Sequence, residues 1–303
     1  MLRFLPAPLK GALNALALAL NTILWAIMIF AMAIVKLLLP FKAARKPVDR
    51  ILQNLASNWI TGNGIWMHLT QKTRWQVSGV DDLQAKGWYL VNCNHQSWVD
   101  IFVLQRVFNG RIPFLKFFLK QELIYVPVMG LAWWALDFPF MKRHSAAYLA
   151  KHPEKRLEDQ ETTRKACAKF ALIPTSVMSF AEGTRFTPGK HRHQQSPYRH
   201  LLRPKVGALA LALNAMGERF QALIDVTIVY PEGVPNFWQF MCGKVDRVVV
   251  HVKSRPIPAN LIGRDYGADA EFRTSIQQWA NEMWDEKDRL ITELHEEKEA
   301  LPV

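Results

Sequence analysis

The sequence predicts an α/β fold: a mixed sheet flanked by helices, preceded by an N-terminal membrane helix or a two-helix membrane motif. Three observations carry this. Short apolar, β-prone runs at Trp88–Cys93 and at residues 175–181, 224–230 and 245–252 alternate with stretches whose apolar residues recur at helical spacing. Residues 12–39 are almost wholly apolar, broken only by Asn14, Asn21, Thr22 and Lys36. Two polar turns, one holding His95 and one holding Glu182, each follow a predicted strand, so both can reach one crevice at the sheet's edge.

The N-terminal run exceeds the ~20 apolar residues a bilayer crossing needs. It is too long for a cleaved signal peptide and shows no small-residue cleavage site before Pro40. Lys36, Lys42, Arg45, Lys46 and Arg50 outnumber Arg3 and Lys10 ahead of it, which places the body of the chain in the cytoplasm. Residues 48–69 continue as an amphipathic segment, with Ile51, Leu52, Leu55, Trp59 and Ile60 at helical spacing. This segment is expected either to lie against the membrane surface or to pack on the body of the chain.

Arg74–Ser78 reads as an entry strand and Trp88–Cys93 as a buried one. Ser97 is suited to cap the next helix, with Asp100 as its capping-box partner. Ile101, Leu104, Val107 and Phe108 follow at helical spacing until Asn109-Gly110 ends the run. His95 therefore sits in a strand-to-helix turn, and Asp100 can curl back to one imidazole nitrogen. That leaves the other nitrogen outward as a base. Residues 111–120 mix Lys116 and Lys120 with Phe117 and Phe118, and read as a segment buried against lipid tails. Residues 131–140 form a second apolar stretch, and 152–169 a charged helix.

The run Lys190-His-Arg-His193, with His200, suggests a metal site at first sight. It lies in a polar loop without cysteines or paired carboxylates, so a solvated or head-group-facing loop is expected. A small-residue helix over 204–216 and a tail helix over 272–294, with Phe272, Ile276, Trp279 and Trp284 on one side, complete the chain.

The 303 residues carry 38 Lys and Arg against 26 Asp and Glu, a net charge of +12 that calls for an anionic partner. Nucleic acid is one such partner, but the apolar N-terminus favours a membrane surface or an acidic substrate. Cys93, Cys167 and Cys242 are too few and too scattered for a disulfide framework and fit a reducing compartment. Cys93, inside an apolar strand, reads as packing. Among the eleven tryptophans, Trp59, Trp66, Trp75, Trp133, Trp134 and Trp238 are candidates for interfacial anchors or for core.

No Gly-x-Ser-x-Gly elbow, His-Glu-x-x-His helix or phosphate-binding Gly-x-x-x-x-Gly-Lys loop is present. What is present is an ordered set of four motifs. Asn94-His95-Gln-Ser-Trp-Val-Asp100 resembles the first motif of the PlsC, or lysophosphatidic acid acyltransferase, family of glycerolipid acyltransferases. Lys120-Gln-Glu122-Leu123-Ile-Tyr-Val-Pro127-Val-Met-Gly130 resembles the second, Phe180-Ala-Glu182-Gly183-Thr184-Arg185 the third, and Thr227-Ile-Val-Tyr-Pro231 the fourth. The resemblance extends towards YihG-like bacterial membrane acyltransferases through Pro139-Phe-Met-Lys-Arg143 and Trp284-Asp-Glu-Lys-Asp-Arg-Leu290. Ala181 departs from the proline usual in the third motif.

The resemblance implies a bacterial inner-membrane O-acyltransferase with its catalytic domain facing the cytoplasm. It would move an acyl chain from acyl-CoA or acyl carrier protein to lysophosphatidic acid, with anionic membrane lipids as further partners, no nucleic acid, no cofactor and no metal. Residues 1–72 would anchor the chain and 73–303 form the acyltransferase domain. His95 would be the general base and Asp100 its orienter, with backbone N–H groups at the Ser97 helix start receiving the oxyanion. Lys120, Glu182, Gly183, Thr184 and Arg185 would bind substrate: Glu182 by accepting a glycerol hydroxyl, Arg185 as a two-point phosphate fork and Lys120 as a second cation. Lys116, Lys142, Arg143 and Lys205 are weaker candidates. Another lysophospholipid acceptor, or a hydrolase using His95 and Asp100 as metal ligands, are the alternative readings.

Overall fold

The computed structural model describes residues 5–39, 42–141 and 173–300. The charged helix expected over 152–169, and the candidates Lys142 and Arg143, lie outside the described residues.

The chain opens with two long helices, α1 (Ala7–Leu38) and α2 (Lys42–Thr70). They run antiparallel: Asn21 donates to the Trp59 carbonyl at 2.8 Å and to Asn63 at 2.9 Å, while Lys36 pairs with Asp49 at 2.8 Å. The four polar breaks in the apolar run all face protein. Asn14 donates to the Met241 carbonyl at 2.7 Å, Thr22 accepts from the Trp59 indole at 3.0 Å, and Lys36 also reaches Asp137. The opposite side of α1 exposes Leu16, Leu20, Ile23, Leu24, Ile27 and Ile34.

Because α1 is docked near both ends, at Asn14 and at Lys36, it lies along the domain for ~33 Å rather than standing clear of it. The two helices thus form a hairpin that leaves the apolar side of α1 exposed.

The strands are β1 (Arg74–Ser78), β2 (Trp88–Cys93), β3 (Leu115–Phe117), β4 (Leu119–Lys120), β5 (Phe140–Met141), β6 (Thr175–Phe180), β7 (Ala222–Val229) and β8 (Arg247–Arg255). Six of them form one sheet in the order β1-β8-β7-β2-β6-β3, parallel except where β7 meets β8. Among the described residues the α-helices that follow α2 are α3 (Val99–Phe108), α4 (Met129–Ala135), α5 (Pro188–Gln194), α6 (Gly207–Met216), α7 (Phe237–Met241) and α8 (Ala270–Ala300).

The alternation of side chains along the strands builds two cores. On one face Tyr89, Val91, Cys93, Ile224, Val226 and Ile228 pack with α3, α7 and the end of α2. On the other, Leu90, Val177 and Leu223 pack under α6 and α8. Both faces are covered, which is why these strands read as unbroken apolar runs.

Three expectations change. Residues 111–120 are not a lipid-facing segment: Leu115 and Lys116 are buried in the protein, and β3 pairs with β6 as a short edge strand. A three-residue strand carrying a lysine has too weak a period to be read from sequence. Residues 188–194 form a helix where a loop was expected, begun by Pro188 with the Thr187 hydroxyl accepting from Lys190 N–H at 3.3 Å. The helix after His95 starts at Val99, one residue later than Ser97 would set it, while the expected capping pair forms: the Ser97 hydroxyl accepts Val99 N–H at 3.2 Å and Asp100 accepts Ser97 N–H at 2.9 Å.

Candidate active site

Strands β7, β2 and β6 are adjacent and parallel, so their carboxyl ends lie side by side. His95 follows β2, Glu182 follows β6 and Tyr230 follows β7. The register brings Cys93 opposite Phe180 and Val226, placing the three turns at one edge. Asn94 extends the β2–β7 ladder with its side chain: its amide donates to the Ile228 carbonyl and its carbonyl accepts from Ile228 N–H, both at 2.9 Å. The chain thereby enters the His95 turn from a fixed point.

His95 Nδ1 lies 2.9 Å from Asp100 Oδ2. The carboxylate oxygen accepts that ring proton and the N–H groups of Gln96 at 2.7 Å and Ser97 at 2.9 Å. Its partner Oδ1 accepts the Tyr230 hydroxyl at 2.7 Å. Asp100 is fully buried and its charge is held by these four donors. Burial, with Asp100 beside it, pushes the Tyr230 phenol well above its ordinary range, so it stays a donor. With Nδ1–H committed to Asp100, the imidazole presents Nε2 as the free base. Phe180 stacks on the ring at 3.9 Å and Phe117 stacks on Phe180 at 6.1 Å, fixing the plane of the imidazole.

Two expected roles change here. The Gln96 and Ser97 N–H groups are taken up by Asp100, so they are not the oxyanion donors. Glu182 does not face a substrate hydroxyl. It is fully buried, accepting His95 N–H at 2.7 Å on one oxygen and Leu202 N–H at 2.9 Å on the other. Its role is to pin the histidine's backbone to the segment under α8. Burial raises its carboxyl to about 7 despite the two N–H donors, which pull the other way. A sequence does not disclose which carboxylate points inward.

Gly183 has φ +69, which favours glycine, and a Cβ there would come within 3.2 Å of the Lys205 side chain. Lys205 thus lies directly over the loop. Arg185 is exposed and its guanidinium lies 4.9 Å over the Trp98 ring. Thr184 accepts from Lys190 Nζ at 2.7 Å, which also donates to the Arg185 carbonyl at 3.0 Å. Arg185, Lys190 and Lys205 therefore gather around one loop beside His95, and Phe186 N–H ties that loop to the His95 carbonyl at 2.7 Å.

Lys120 is exposed in the two-strand pairing of β4 with β5, three residues beyond the Phe117 that stacks on Phe180. Lys116 lines a small cavity with Asp49 and Asp137 beneath α2 and α4. Cys93 is buried packing, with burial pushing its thiol well up. Among the described residues no group of three or more His, Cys, Asp or Glu side chains could hold a metal ion. His191 and His200 bond instead to the Tyr198 carbonyl at 2.6 Å and the Thr292 hydroxyl at 3.0 Å.

Residues 74–233, more than half of the 303-residue chain, match the family model described as Acyltransferase. The chain belongs to the acyltransferase family.

The span matched contains His95, Asp100, Lys120, Glu182, Arg185, Lys205 and Tyr230. A Mus musculus 1-acyl-sn-glycerol-3-phosphate acyltransferase gamma is 26% identical over 78% of this acyltransferase and 61% of its own length. A Saccharomyces cerevisiae 1-acyl-sn-glycerol-3-phosphate acyltransferase is 33% identical over 44% of the chain and 40% of its own. The chain thus spans less than two thirds of the length of the curated relatives it matches. The crystal structure of the 1-acyl-sn-glycerophosphate acyltransferase PlsC from Thermotoga maritima superposes with a TM-score of 0.51 at 16% identity, covering 95% of this chain and 97% of that one. That likeness confirms the fold of this acyltransferase.

Two contributors escaped the sequence reading. Tyr230 stood inside the fourth motif without a role. Its signal was a phenol at the end of an apolar strand, whose hydroxyl must find a buried partner. Lys190 was absorbed into a histidine-rich run, and only the turn of α5 brings it back to Thr184.

Proposed function

We propose that the chain is a membrane-bound O-acyltransferase that converts lysophosphatidic acid to phosphatidic acid with acyl-CoA or acyl carrier protein as donor. The observation that carries this is the His95–Asp100 pair, with Nδ1 held and Nε2 free. Nε2 takes the acceptor's hydroxyl proton as the oxygen attacks the thioester carbonyl. The tetrahedral intermediate collapses with cleavage of the C–S bond, and the departing thiolate recovers the proton from His95. Asp100 stabilises the imidazolium between these steps. Base catalysis of this kind contributes ~10²–10⁴-fold.

The cations around the third motif support a phosphate-bearing acceptor. Arg185, held by Trp98, offers a fork, with Lys190 and Lys205 as point charges on the same loop. Residues 1–72 serve as the anchor, with the apolar side of α1 in the cytoplasmic leaflet of a bacterial inner membrane and the domain, 73–303, facing the cytoplasm. Lys42, Arg45, Lys46 and Arg50 support that orientation. A second acceptor class is favoured by one finding: a Danio rerio lysocardiolipin acyltransferase 1 is 23% identical over 60% of the chain.

The test is acyl transfer by purified membranes against a panel of lysophospholipids. Lysophosphatidic acid should be acylated, and His95→Ala should lower the rate by ~10²–10⁴-fold at unchanged protein level. Turnover by that variant near the unmodified rate would remove the mechanism. Faster acylation of a glycerol-headed lysolipid would move the assignment to the second class.

A further inference from the structure

We propose that a groove on the flank of the domain is a seat for an anionic phospholipid of the bilayer. The groove encloses about 570 Å³ between the C-terminal half of α2, strand β1 and the C-terminal end of α3. Its apolar wall is Ile60, Ile65 and Leu69 from α2 and Val77 from β1; Ile65, Leu69 and Val77 are exposed. Arg106 and Arg111 line the groove as well. No carboxylate lines it.

The two arginines point to an anion. Arg106 is half-buried, its guanidinium 4.7 Å over the Trp75 ring, and makes no ion pair among the described residues. Removing a cation from water without a counter-charge is unfavourable, and burial accordingly lowers its affinity for its proton. Arg111 gives one N–H to the Val107 carbonyl at 2.6 Å and keeps the rest of its fork. A phosphodiester between the two would supply the missing charge and accept the remaining donors.

The apolar wall selects a lipid over a soluble anion. Three of its four residues belong to α2, the helix paired with α1, whose own exposed side is apolar along its length. The volume is that of an ordinary small-molecule site. One acyl chain would lie along Ile60, Ile65, Leu69 and Val77, with its head group at the arginines. This seat is distinct from the acceptor site, lying at the opposite end of α3 from His95.

Gly64 makes the idea testable. A Cβ there meets nothing within 4 Å, so Gly64→Leu places a side chain at the groove from an open position and favours the helix. The full chain is reconstituted in phosphatidylcholine vesicles containing trace phosphatidylglycerol or phosphatidylcholine with a diazirine on the acyl chain. After illumination, labelled peptides are mapped by mass spectrometry.

The phosphatidylglycerol probe should label residues 60–69 and 75–77 about tenfold more than the phosphatidylcholine probe, the equivalent of one charge-assisted hydrogen bond. Arg106→Gln/Arg111→Gln should remove that preference, and Gly64→Leu should remove labelling by both probes while helicity and acyl-transfer rate stay within about twofold. Equal labelling by the two probes, or labelling that survives Gly64→Leu, overturns the proposal. So does a polypeptide found seated in the groove.

Discussion

The two ends of helix α3 treat charge in opposite ways. At the N-terminal end, Asp100 is fully buried yet faces four donors, and Glu182 beside it faces two. At the C-terminal end, ~15 Å away, Arg106 and Arg111 line an open groove with no carboxylate in it. A saturated carboxylate is a device for orientation: its energy goes into holding a neighbour still. An uncompensated guanidinium is a device for affinity, since the missing counter-charge arrives with a ligand. Preorganisation and binding are thereby separated along one helix.

The largest effect should come from breaking the saturated end. Loss of the base in His95→Ala should lower kcat/KM by ~10²–10⁴-fold, and Asp100→Asn should approach it because the ring loses its anchor at Nδ1. Initial rates with lysophosphatidic acid and acyl-CoA measure both. A drop below tenfold for Asp100→Asn would mean the four donors organise the turn without serving the imidazole.

Tyr230→Phe sharpens the point by removing a single donor. Charge-assisted hydrogen bonds contribute ~1.5–3 kcal/mol, so kcat/KM should fall about 10- to 100-fold. A lower melting temperature with kcat/KM unchanged would reduce Tyr230 to packing.

Arg185→Ala tests affinity within the active site itself. Its loss should raise the acceptor's KM more than it lowers kcat, with at least about a tenfold fall in kcat/KM. Arg185→Lys should recover only part, lacking the planar fork. A rise in the donor's KM at constant acceptor KM would assign the cation to the coenzyme phosphates.

The smallest effect belongs to Glu182. Burial raises its carboxyl from 4.5 to about 7, so the folded chain holds a proton that the unfolded chain releases across that window. Stability conferred by this group is present below about pH 4.5 and lost as pH rises through about 7. The slope is at most ~1.4 kcal/mol per pH unit. Denaturation in detergent at pH 5, 6 and 8 should show this decline in the unmodified chain and not in Glu182→Gln. The substitution should also lower stability by ~1–3 kcal/mol throughout, because its amide would face the Leu202 N–H. A stability that rises between pH 5 and 8 in the unmodified chain, through a slope absent from Glu182→Gln, would reverse the sign assigned to this group.

Much of the catalytic edge was legible along the chain. Trp88–Cys93 and Arg74–Ser78 appear as strands at the expected bounds, because apolar, β-branched runs between turn residues admit few alternatives. His95 and Asp100 are five positions apart, and a strand-to-helix turn brings them together whatever the rest of the fold does. The charge of +12 and the apolar run over 12–39 were properties of composition alone.

Contacts between distant segments were another matter. Tyr230 reaches Asp100 across 130 positions and Glu182 reaches His95 across 87, because β7, β2 and β6 are neighbours in space. The same holds for α1. Its apolar length was plain, but only packing shows that Asn14, Asn21, Thr22 and Lys36 all face protein and lay the helix along the domain. Local periodicity and turn chemistry act within a few residues, so the sequence by itself determined the elements and the His95–Asp100 pair. Which buried polar atoms satisfy one another depends on strand order and on the side each chain segment presents, and that only the tertiary structure decided.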